Sequence, residues 1–504
     1  MRYRAGMLDD LQIGQDDRRR ARATAHELAR YEALFAARTH GMKSSAMREM
    51  MALTERSDVI SLAGGLPDTT TFAPELYAKL MAQVAAESTA RALQYGPTEG
   101  MAVTVDCIVE VMAAEGTEVD PSEVIVTTGG QQVIDLVCKT LIDPGDVIVA
   151  EAPTYPGAVP TFSAYQADVE QIEIDADGMP IDALEATLDR LQAQGRRPKF
   201  IYTIPNFQNP GGVTMSLARR RRLIEVARER ELLVLEDNPY GLLRYEGEAL
   251  PTLYSLDASN AGKDGVSDLV IYLGTFSKIL SPGLRLGWAV APRPVLEKLN
   301  LGKQGADLCS SPVTQLFVSA YFAERGSESH PPVPAWVEYV ERLRNLYRRR
   351  RDVMLEALEE HFQGRATWTR PAGGLFVWAT LDNGVDTTDL LARSEGVAFV
   401  PGRAAYTDGR SGSSSMRLNF AGVPDADIRE GIRRIGRTMG GDTGLLGTLT
   451  MTTGSATAAS SPPASSSPAT PQTGPQEDEG APLADVVALP RREQQRSTRR
   501  RQDR

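Results

Sequence analysis

The stretch GTFSKILSPGLRLGW, residues 274–288, contains a lysine that follows an apolar run and small hydroxyl residues. The amine of Lys278 can hold a phosphorylated aldehyde covalently as a Schiff base. Thr275, Ser277 and Arg285 can bind the phosphate, because hydroxyls and a planar guanidinium fork suit a doubly charged oxyanion. The same stretch is equally compatible with an exposed lysine after a strand. The rest of the chain must therefore decide between a covalent site and a surface lysine.

Apolar, β-branched runs alternate with helical patterns through the middle of the chain. The runs occupy residues 124–128, 147–152, 200–204, 232–237, 269–274 and 286–291. Such strands, separated by helix-length segments, indicate a mostly parallel sheet that is buried on both faces, as in α/β folds. Ligands of these sheets bind at the carboxyl ends of the strands.

Polar residues follow the ends of five of these runs. Gly129 to Gln131 follow the first run, and Tyr155, Asn209, Asp237 and Lys278 are at or after the ends of the next four. Packing alone does not explain why chemically capable residues cluster at one end of the strands. The sequence therefore predicts a site at this edge of the sheet.

Composition and periodicity divide the chain into five segments. We predict a flexible N-terminal extension (1–30), N-terminal helices or an arm (31–62), a large domain (63–311), a smaller α+β domain (312–441) and a disordered tail (442–504). The tail is rich in Ser, Thr, Pro, Ala and Gly, so too few apolar residues remain to offset the entropy of ordering it. Its arginines could contact acidic partners or nucleic acid, but a solvated tail is the simpler interpretation.

Charge and composition exclude several function classes. The net charge of -11 argues against a nucleic-acid-binding body. The three cysteines and four histidines lack the spacing of metal ligands, so no metal site is predicted. We expect no membrane span, because no apolar run approaches the roughly 20 residues that one needs. The charged N-terminus lacks the apolar core of a secretory signal, so we expect a cytoplasmic protein.

Nine ordered blocks give the chain a resemblance to a known family. From residue 38 to 439 it resembles the fold-type I pyridoxal 5′-phosphate (PLP)-dependent aminotransferases of class I, most closely the branch of 2-aminoadipate and kynurenine aminotransferases. The blocks are ISLAGGLPD, ALQYGPTEG, TTGGQQ, EAPTYPG, IPNFQNPGG, EDNPYG, GTFSKILSPGLRLGW, PAGGLFVW and MRLNF. The resemblance implies an α/β fold with a seven-stranded sheet, PLP as cofactor and transfer of an amino group through a Lys278 Schiff base.

The resemblance assigns catalytic roles to three residues. It makes Lys278 the proton carrier and Asp237 the carboxylate that keeps the cofactor's ring nitrogen protonated, since an opposite charge raises the pKa of that nitrogen. It also implies that Tyr155 stacks on the ring. The plainer alternatives are a strand-end cap for Asp237 and a core tyrosine for Tyr155.

Further cofactor contacts follow from the same resemblance. Asn209 and Tyr240 are expected to bond the cofactor's phenolate oxygen, and the backbone of Gly130 and Gln131, at a helix N-terminus, is expected to bind the phosphate. The family often has serine where this chain has Gly130, so a side-chain contribution is absent there. Tyr95 resembles a tyrosine that reaches the phosphate in the neighbouring subunit, which implies a homodimer with shared active sites.

Substrate contacts complete the implied site. Arg417 resembles the arginine that binds the substrate α-carboxylate, with an edge-facing arginine as the alternative. Asn209, Gly64, Gly65 and Phe376 are expected to line the substrate side.

The amino donor is the least determined part of the site. Arg48 aligns with a helix arginine that pairs with a distal carboxylate, although a surface arginine on an amphipathic helix fits equally well. The favoured donors are 2-aminoadipate and glutamate, with 2-oxoglutarate as acceptor and tolerance for aromatic or branched-chain amino acids.

Two rival functions are compatible with the same cofactor residues. A PLP-dependent lyase or synthase is the rival among enzymes, and an aminotransferase-like ligand-sensing regulator is the rival from another class. The regulator needs a basic winged-helix module of about 70 residues before the domain. Fewer than 40 residues precede the resemblance here, without a helix-turn-helix pattern.

Overall fold

A computed structural model of the protein describes residues 30–31, 34–42, 58–260, 267–326, 333–382, 384–394 and 396–451. Contacts divide the chain into a unit spanning Met1–Gly447 and a second unit spanning Thr448–Arg504. Of the second unit, only residues 448–451 are described, and they are helical. The predicted N-terminal extension, much of the predicted arm and most of the predicted tail lie outside the described residues.

Helices and strands alternate through most of the first unit. The helices are α1 (Pro74–Glu87), α2 (Thr89–Leu93), α3 (Ala102–Ala114), α4 (Gly130–Leu141), α5 (Val159–Ala164), α6 (Ile181–Ala193), α7 (Leu217–Glu229), α8 (Leu253–Asn260), α9 (Arg293–Gln304), α10 (Pro312–Ala323), α11 (Ala335–Phe362), α12 (Thr387–Arg393) and α13 (Asp425–Met451). Short 3-10 helices span Ala37–Gly41, Thr69–Thr71, Pro121–Glu123, Pro282–Leu284 and Gly402–Ala405. The strands are β1 (Ile60–Ser61), β2 (Val124–Thr127), β3 (Val147–Ala152), β4 (Asp168–Glu173), β5 (Pro198–Thr203), β6 (Leu233–Asp237), β7 (Val270–Thr275), β8 (Gly287–Val290), β9 (Ala366–Trp368), β10 (Phe376–Leu381), β11 (Val397–Ala398), β12 (Val400–Pro401) and β13 (Ser415–Asn419).

The main sheet has seven strands in the order β2-β8-β7-β6-β5-β3-β4. All neighbours are parallel except β8, which runs antiparallel to both β2 and β7. Every residue of β2, β3, β7 and β8 is buried, as expected of strands covered on both faces. The predicted mostly parallel seven-stranded sheet is confirmed.

The sheet brings the carboxyl ends of its parallel strands to one edge. Strand β6 ends at Asp237 and strand β7 ends at Thr275, three residues before Lys278. Tyr155 follows β3, and Asn209 follows β5. The geometry of a parallel sheet thus gathers residues that are far apart in the sequence.

A second sheet carries two more of the predicted site residues, Phe376 and Arg417. Its four antiparallel strands have the order β12-β13-β10-β9, and Arg417 on β13 pairs with Trp378 on β10. The extended segment 397–401 divides at Phe399, because β11 pairs with β1 while β12 joins this second sheet. The boundary between a large and a small domain near residue 312 stays a prediction.

The last helix extends beyond the predicted start of the tail, whose bounds stay a prediction. Helix α13 runs to Met451, past residue 442, where the sequence predicted that order ends. Helix propagation explains the extension, since each added residue gains a backbone hydrogen bond once the helix exists. Among the described residues, no helix is long and apolar enough to cross a membrane.

Candidate active site

One cleft of about 300 Å³ collects most of the residues that the sequence singled out. Those that line it are Gly65, Gly130, Gln131, Tyr155, Asn209, Asp237, Tyr240, Thr275, Ser277, Lys278, Arg285, Phe376 and Arg417. They come from the carboxyl edge of the main sheet, from the start of α4 and from the second sheet. The predicted clustering at the strand ends therefore occurs.

Lys278 provides the amine of the cleft. Its Nζ donates a hydrogen bond to the carbonyl oxygen of Gly65 at 2.6 Å. Burial, which is the largest cause, and the positive charges of Arg417 and Arg285 together lower the pKa of Lys278 to about 8, against the opposing effect of Asp237. A useful fraction of the amine is thus neutral, and hence nucleophilic, near neutral pH.

Asp237 is the carboxylate of the cleft. It is 5% exposed, and its Oδ2 accepts a hydrogen bond of 2.6 Å from the hydroxyl of Tyr202. Burial raises the pKa of Asp237 to about 6, while the Tyr202 hydrogen bond and the charge of Lys278 oppose that rise. The side chain is therefore mostly ionised at neutral pH and lines a cavity, which a simple strand-end cap does not require.

The start of α4 offers backbone donors to an anion. Gly129 precedes the helix with φ +84°, and Gly130 and Gln131 occupy the first turn, where N–H groups have no partner within the helix. The Gln131 side chain is already engaged, because its Nε2 donates to the carbonyl of Gly157 at 3.1 Å and to Thr161 Oγ1 at 2.8 Å. Its backbone is therefore the better candidate for the anion contact.

Arg285 reaches the same helix start from the other side. Its backbone is left-handed (φ 50°, ψ 49°), a conformation that costs energy in a non-glycine residue and is often held at functional sites. Its Nη2 donates to the carbonyl of Thr128 at 3.3 Å. A Cβ atom at Gly129 would lie 2.3 Å from this Nη2, so the glycine is what allows the guanidinium to approach the helix.

Small hydroxyl groups lie beside this arginine. Thr275 Oγ1 is 2.9 Å from Ser277 Oγ and accepts a hydrogen bond of 3.1 Å from the Ser277 backbone. Both side chains line the cleft and are less than 9% exposed. Hydroxyls, backbone N–H groups and a guanidinium together form a donor set suited to a phosphate.

Arg417 is a buried arginine of the same cleft. It is 1% exposed, which excludes the edge-facing alternative, and burial lowers its pKa to about 10. Its Nη1 donates to Asn209 Oδ1 at 3.1 Å and its Nη2 to the carbonyl of Ala63 at 2.7 Å. The guanidinium carbon lies 4.3 Å from the centre of the Phe376 ring. The guanidinium is thus held in one orientation, as recognition of a carboxylate requires.

Comparison with known proteins identifies the family. The sequence profile of the class I and II aminotransferases matches residues 57–435. The chain belongs to this family. It is 42% identical over 412 residues to aromatic-amino-acid aminotransferase 1 of Thermococcus litoralis, covering 81% of this chain and 94% of that protein. It is 41% identical over 403 residues to the 2-aminoadipate transaminase of Thermus thermophilus, covering 79% of this chain and 95% of that protein.

A solved structure agrees with this assignment. The α-aminoadipate aminotransferase of Thermus thermophilus, in complex with N-(5′-phosphopyridoxyl)-L-leucine, aligns with a TM-score of 0.74 and 37% identity, over 82% of this chain and 99% of that one. The chain is accordingly a transaminase with the fold-type I architecture, and its cofactor is pyridoxal 5′-phosphate. These three predictions are confirmed.

The cleft of this aminotransferase fits that cofactor chemically. It contains an amine of lowered pKa for the aldehyde, a buried carboxylate for the ring nitrogen and a helix N-terminus with an arginine for the phosphate. The close approach of Arg285 to Gly129 leaves no room for a side chain between them, as expected of a preformed anion site.

Three predicted site residues are not among those lining the cleft. Gly65 lines it but Gly64 does not, and the Tyr95 side chain is 79% exposed. Arg48 lies outside the described residues. The roles of these three residues stay predictions.

Sequence reasoning also missed part of the site. The cleft is completed by Leu66, Ile134, Ile204, Pro239, Leu273 and Pro282, and Tyr202 lies directly behind Asp237. The apolar residues are indistinguishable from core residues in a sequence. Tyr202 lies within an apolar strand run, so only the order of strands in the sheet brings it to Asp237.

Proposed function

We propose that this aminotransferase transfers the amino group of 2-aminoadipate or glutamate to 2-oxoglutarate, and that it also accepts aromatic and branched-chain amino acids. The observation that carries the proposal is the buried guanidinium of Arg417 beside the apolar ring of Phe376, in the same cleft as Lys278. A carboxylate clamp next to apolar surface suits an α-amino acid with an extended side chain. The similarity to a 2-aminoadipate transaminase supports 2-aminoadipate as a donor, and the similarity to an aromatic-amino-acid aminotransferase supports the aromatic donors.

The proposed chemistry depends on two titrating groups. Bound pyridoxal phosphate supplies an electron sink for negative charge at the substrate's α-carbon. Lys278 Nζ would take the proton from that carbon and, as general acid, deliver it to the carbon that forms the cofactor's aldehyde, a task suited to a group whose pKa is lowered to about 8. The Asp237 carboxylate holds the proton on the cofactor's ring nitrogen, because a nearby negative charge favours the protonated form.

The other proposed site residues bind the cofactor and orient the substrate. Tyr155 packs on the cofactor ring, and Asn209 and Tyr240, which are linked by a 3.4 Å hydrogen bond, bind its phenolate oxygen. The proposed phosphate ligands are the backbone of Gly130 and Gln131 and the side chains of Thr275, Ser277 and Arg285. Arg417 and Asn209 hold the substrate α-carboxylate while Gly64, Gly65 and Phe376 border the substrate, and a fixed carboxylate orients the bond that loses the proton.

A donor screen tests the substrate assignment. The holoenzyme is incubated with each amino acid and 2-oxoglutarate, and glutamate is quantified by chromatography, while glutamate as donor is tested with 2-oxoadipate. We expect the highest kcat/KM with 2-aminoadipate and lower values with phenylalanine and leucine. A kcat/KM for phenylalanine equal to or above that for 2-aminoadipate would overturn the proposed preference.

Arg48 is the proposed partner of the distal carboxylate. Among the described cleft residues the positive charges are those of Lys278, Arg285 and Arg417, each of which already has a proposed role. Arg48→Ala should therefore lower kcat/KM for 2-aminoadipate about tenfold or more and leave that for leucine nearly unchanged, because one charge-assisted hydrogen bond is worth about 1.5–3 kcal/mol. Arg38→Ala, at an exposed arginine in the preceding 3-10 helix, is the matched control. If Arg48→Ala leaves the ratio of kcat/KM for 2-aminoadipate to that for leucine unchanged, Arg48 does not determine specificity.

The proposed functional unit is a homodimer in which Tyr95 contacts the phosphate site of the neighbouring subunit. Its 79% exposed side chain supports this, since it is available to a second copy. Co-expression of Tyr95→Ala and Lys278→Ala chains tests the sharing. A mixed dimer should regain activity at the one site that has both native residues. If mixing restores nothing, Tyr95 does not act across an interface.

A further inference from the structure

A tyrosine outside the cleft is bonded to the carboxylate inside it. The hydroxyl of Tyr202 donates to Asp237 Oδ2 at 2.6 Å, the short distance typical of an O–H donor to an ionised acceptor. Tyr202 is fully buried on β5, whereas Asp237 ends the neighbouring parallel strand β6. This contact joins a side chain of the sheet interior to the proposed ring-nitrogen partner.

We propose that Tyr202 is a positioning residue, which fixes Oδ2 of Asp237 so that the second carboxylate oxygen is presented to the cofactor and the carboxylate stays ionised. The inference rests on the proposed role of Asp237. It assigns Tyr202 no contact with cofactor or substrate, because Tyr202 is not among the described residues that line the cleft.

The hydroxyl is held from two sides. In the sheet, Tyr202 pairs with Leu235, which lies two residues before Asp237. Tyr202 and Asp237 therefore belong to adjacent, hydrogen-bonded strands. Its ring meets the ring of Phe162 on α5 edge to face, with centroids 5.4 Å apart. A donor fixed by a sheet and an aromatic contact can orient a carboxylate to within the small tolerance that catalysis needs.

The charges around Asp237 show what this bond contributes. Burial raises the pKa of Asp237, and the Tyr202 hydrogen bond opposes that rise. Burial and the neighbouring Asp237 raise the pKa of Tyr202 well above 10, so Tyr202 remains a donor throughout the working pH range. Among the described residues, the other titratable groups that interact electrostatically with Asp237 are Lys278, Tyr155, Tyr240 and Glu151. Two of them, Tyr155 and Glu151, also interact with Tyr202.

A pair of tyrosine variants provides the test. Tyr202→Phe removes the hydroxyl and keeps the ring against Phe162. Tyr272→Phe is the matched control, since Tyr272 is also fully buried in the sheet and donates to a partly buried carboxylate, Glu115 Oε2 at 2.7 Å, but neither residue lines the cleft. The holoenzymes are compared by the pH profile of kcat/KM and by a pH titration of the bound cofactor's visible absorption without substrate.

The expected shift has a definite sign. Asp237 is needed as the carboxylate, so activity is lost as pH falls through its pKa, and loss of the Tyr202 bond raises that pKa. The acidic limb of Tyr202→Phe should therefore move up by about one pH unit, the size of one lost hydrogen bond to a charged group. The absorption titration should shift as well, and kcat at pH 7 should fall severalfold. Tyr272→Phe should leave the acidic limb and the absorption titration as in wild type.

The outcomes separate this inference from the proposed function. Wild-type profiles for Tyr202→Phe together with an inactive Asp237→Asn would overturn the inference alone. A fully active Asp237→Asn would overturn the role of Asp237 and the inference with it. Equal shifts in both tyrosine variants would indicate general loosening and also overturn it. Phe162→Leu is the second variant if Tyr202→Phe does not fold: a smaller shift in the same direction supports the inference, and no shift contradicts it.

Discussion

Replacement of Arg417 by lysine should weaken the enzyme selectively toward substrates that carry an α-carboxylate. The guanidinium is 1% exposed and is fixed by bonds to Asn209 Oδ1 and to the carbonyl of Ala63. Lysine keeps the positive charge but loses the planar fork that makes two parallel hydrogen bonds. One hydrogen bond to a charged group is worth about 2 kcal/mol. The value of kcat/KM for amino acids should therefore fall about 30-fold.

The assay compares each amino acid with the amine that has the same side chain and no carboxylate. For phenylalanine against phenethylamine, the ratio of the two kcat/KM values should fall about 30-fold in Arg417→Lys, because only the amino acid uses the lost bond. A selective loss of this kind measures the carboxylate contact, because a loss of folding or of overall activity would affect both substrates equally.

Arg220→Lys is the matched control for this experiment. Arg220 is also fully buried, burial also lowers its pKa to about 10, and its donors bond the carbonyls of Pro205 and Pro251 and not the cleft. Arg220→Lys can lose stability but should keep the wild-type ratio of kcat/KM for phenylalanine to that for phenethylamine. An unchanged ratio in Arg417→Lys, or equal falls in both variants, would refute the clamp.

Two further predictions concern the cofactor. Gly129→Ala should weaken binding of pyridoxal phosphate at least tenfold in a fluorescence titration, because its Cβ would lie 2.3 Å from Arg285 Nη2, whereas Gly116→Ala, with a similar positive φ of 76° and open space around it, should bind normally. Equal losses in both variants would attribute the effect to backbone strain alone. The rate at which the apo-protein captures the cofactor should rise with pH and level off above about pH 8, because the neutral amine reacts and burial lowers the pKa of Lys278 to about 8. A midpoint near the ordinary lysine pKa of about 10.4 would contradict this.

The main sheet was predictable from local sequence wherever a strand is buried on both faces. Each of the six apolar runs forms a strand, since such strands lack a polar face. The seventh strand, β4, was not predicted because it lies at one edge of the sheet and its residues, DVEQIE, are mostly exposed or only partly buried and include three acidic side chains. The direction of β8 was also beyond local sequence, because it depends on which strands become neighbours.

The site was predictable to the extent that it follows strand ends. Asp237 and Lys278 could be singled out because parallel strands bring their carboxyl ends to one edge. The contact of Tyr202 with Asp237 could not, since it requires the order and register of β5 and β6. The left-handed backbone of Arg285 could not be predicted, because glycine usually marks such a conformation and this position is an arginine. The surrounding structure stabilises it.

The most direct test of the account is the half-reaction of Lys278→Ala with 2-aminoadipate, followed by the bound cofactor's visible absorption. Lys303→Ala is the control, because Lys303 is a fully buried lysine that pairs with Asp307 outside the cleft. The account predicts that Lys278→Ala folds and reacts at least about 100-fold more slowly, the minimum expected for a lost general acid and base, and that Lys303→Ala stays near the wild-type rate. A Lys278→Ala enzyme that reacts at the wild-type rate would contradict the assignment of Lys278 as the catalytic amine.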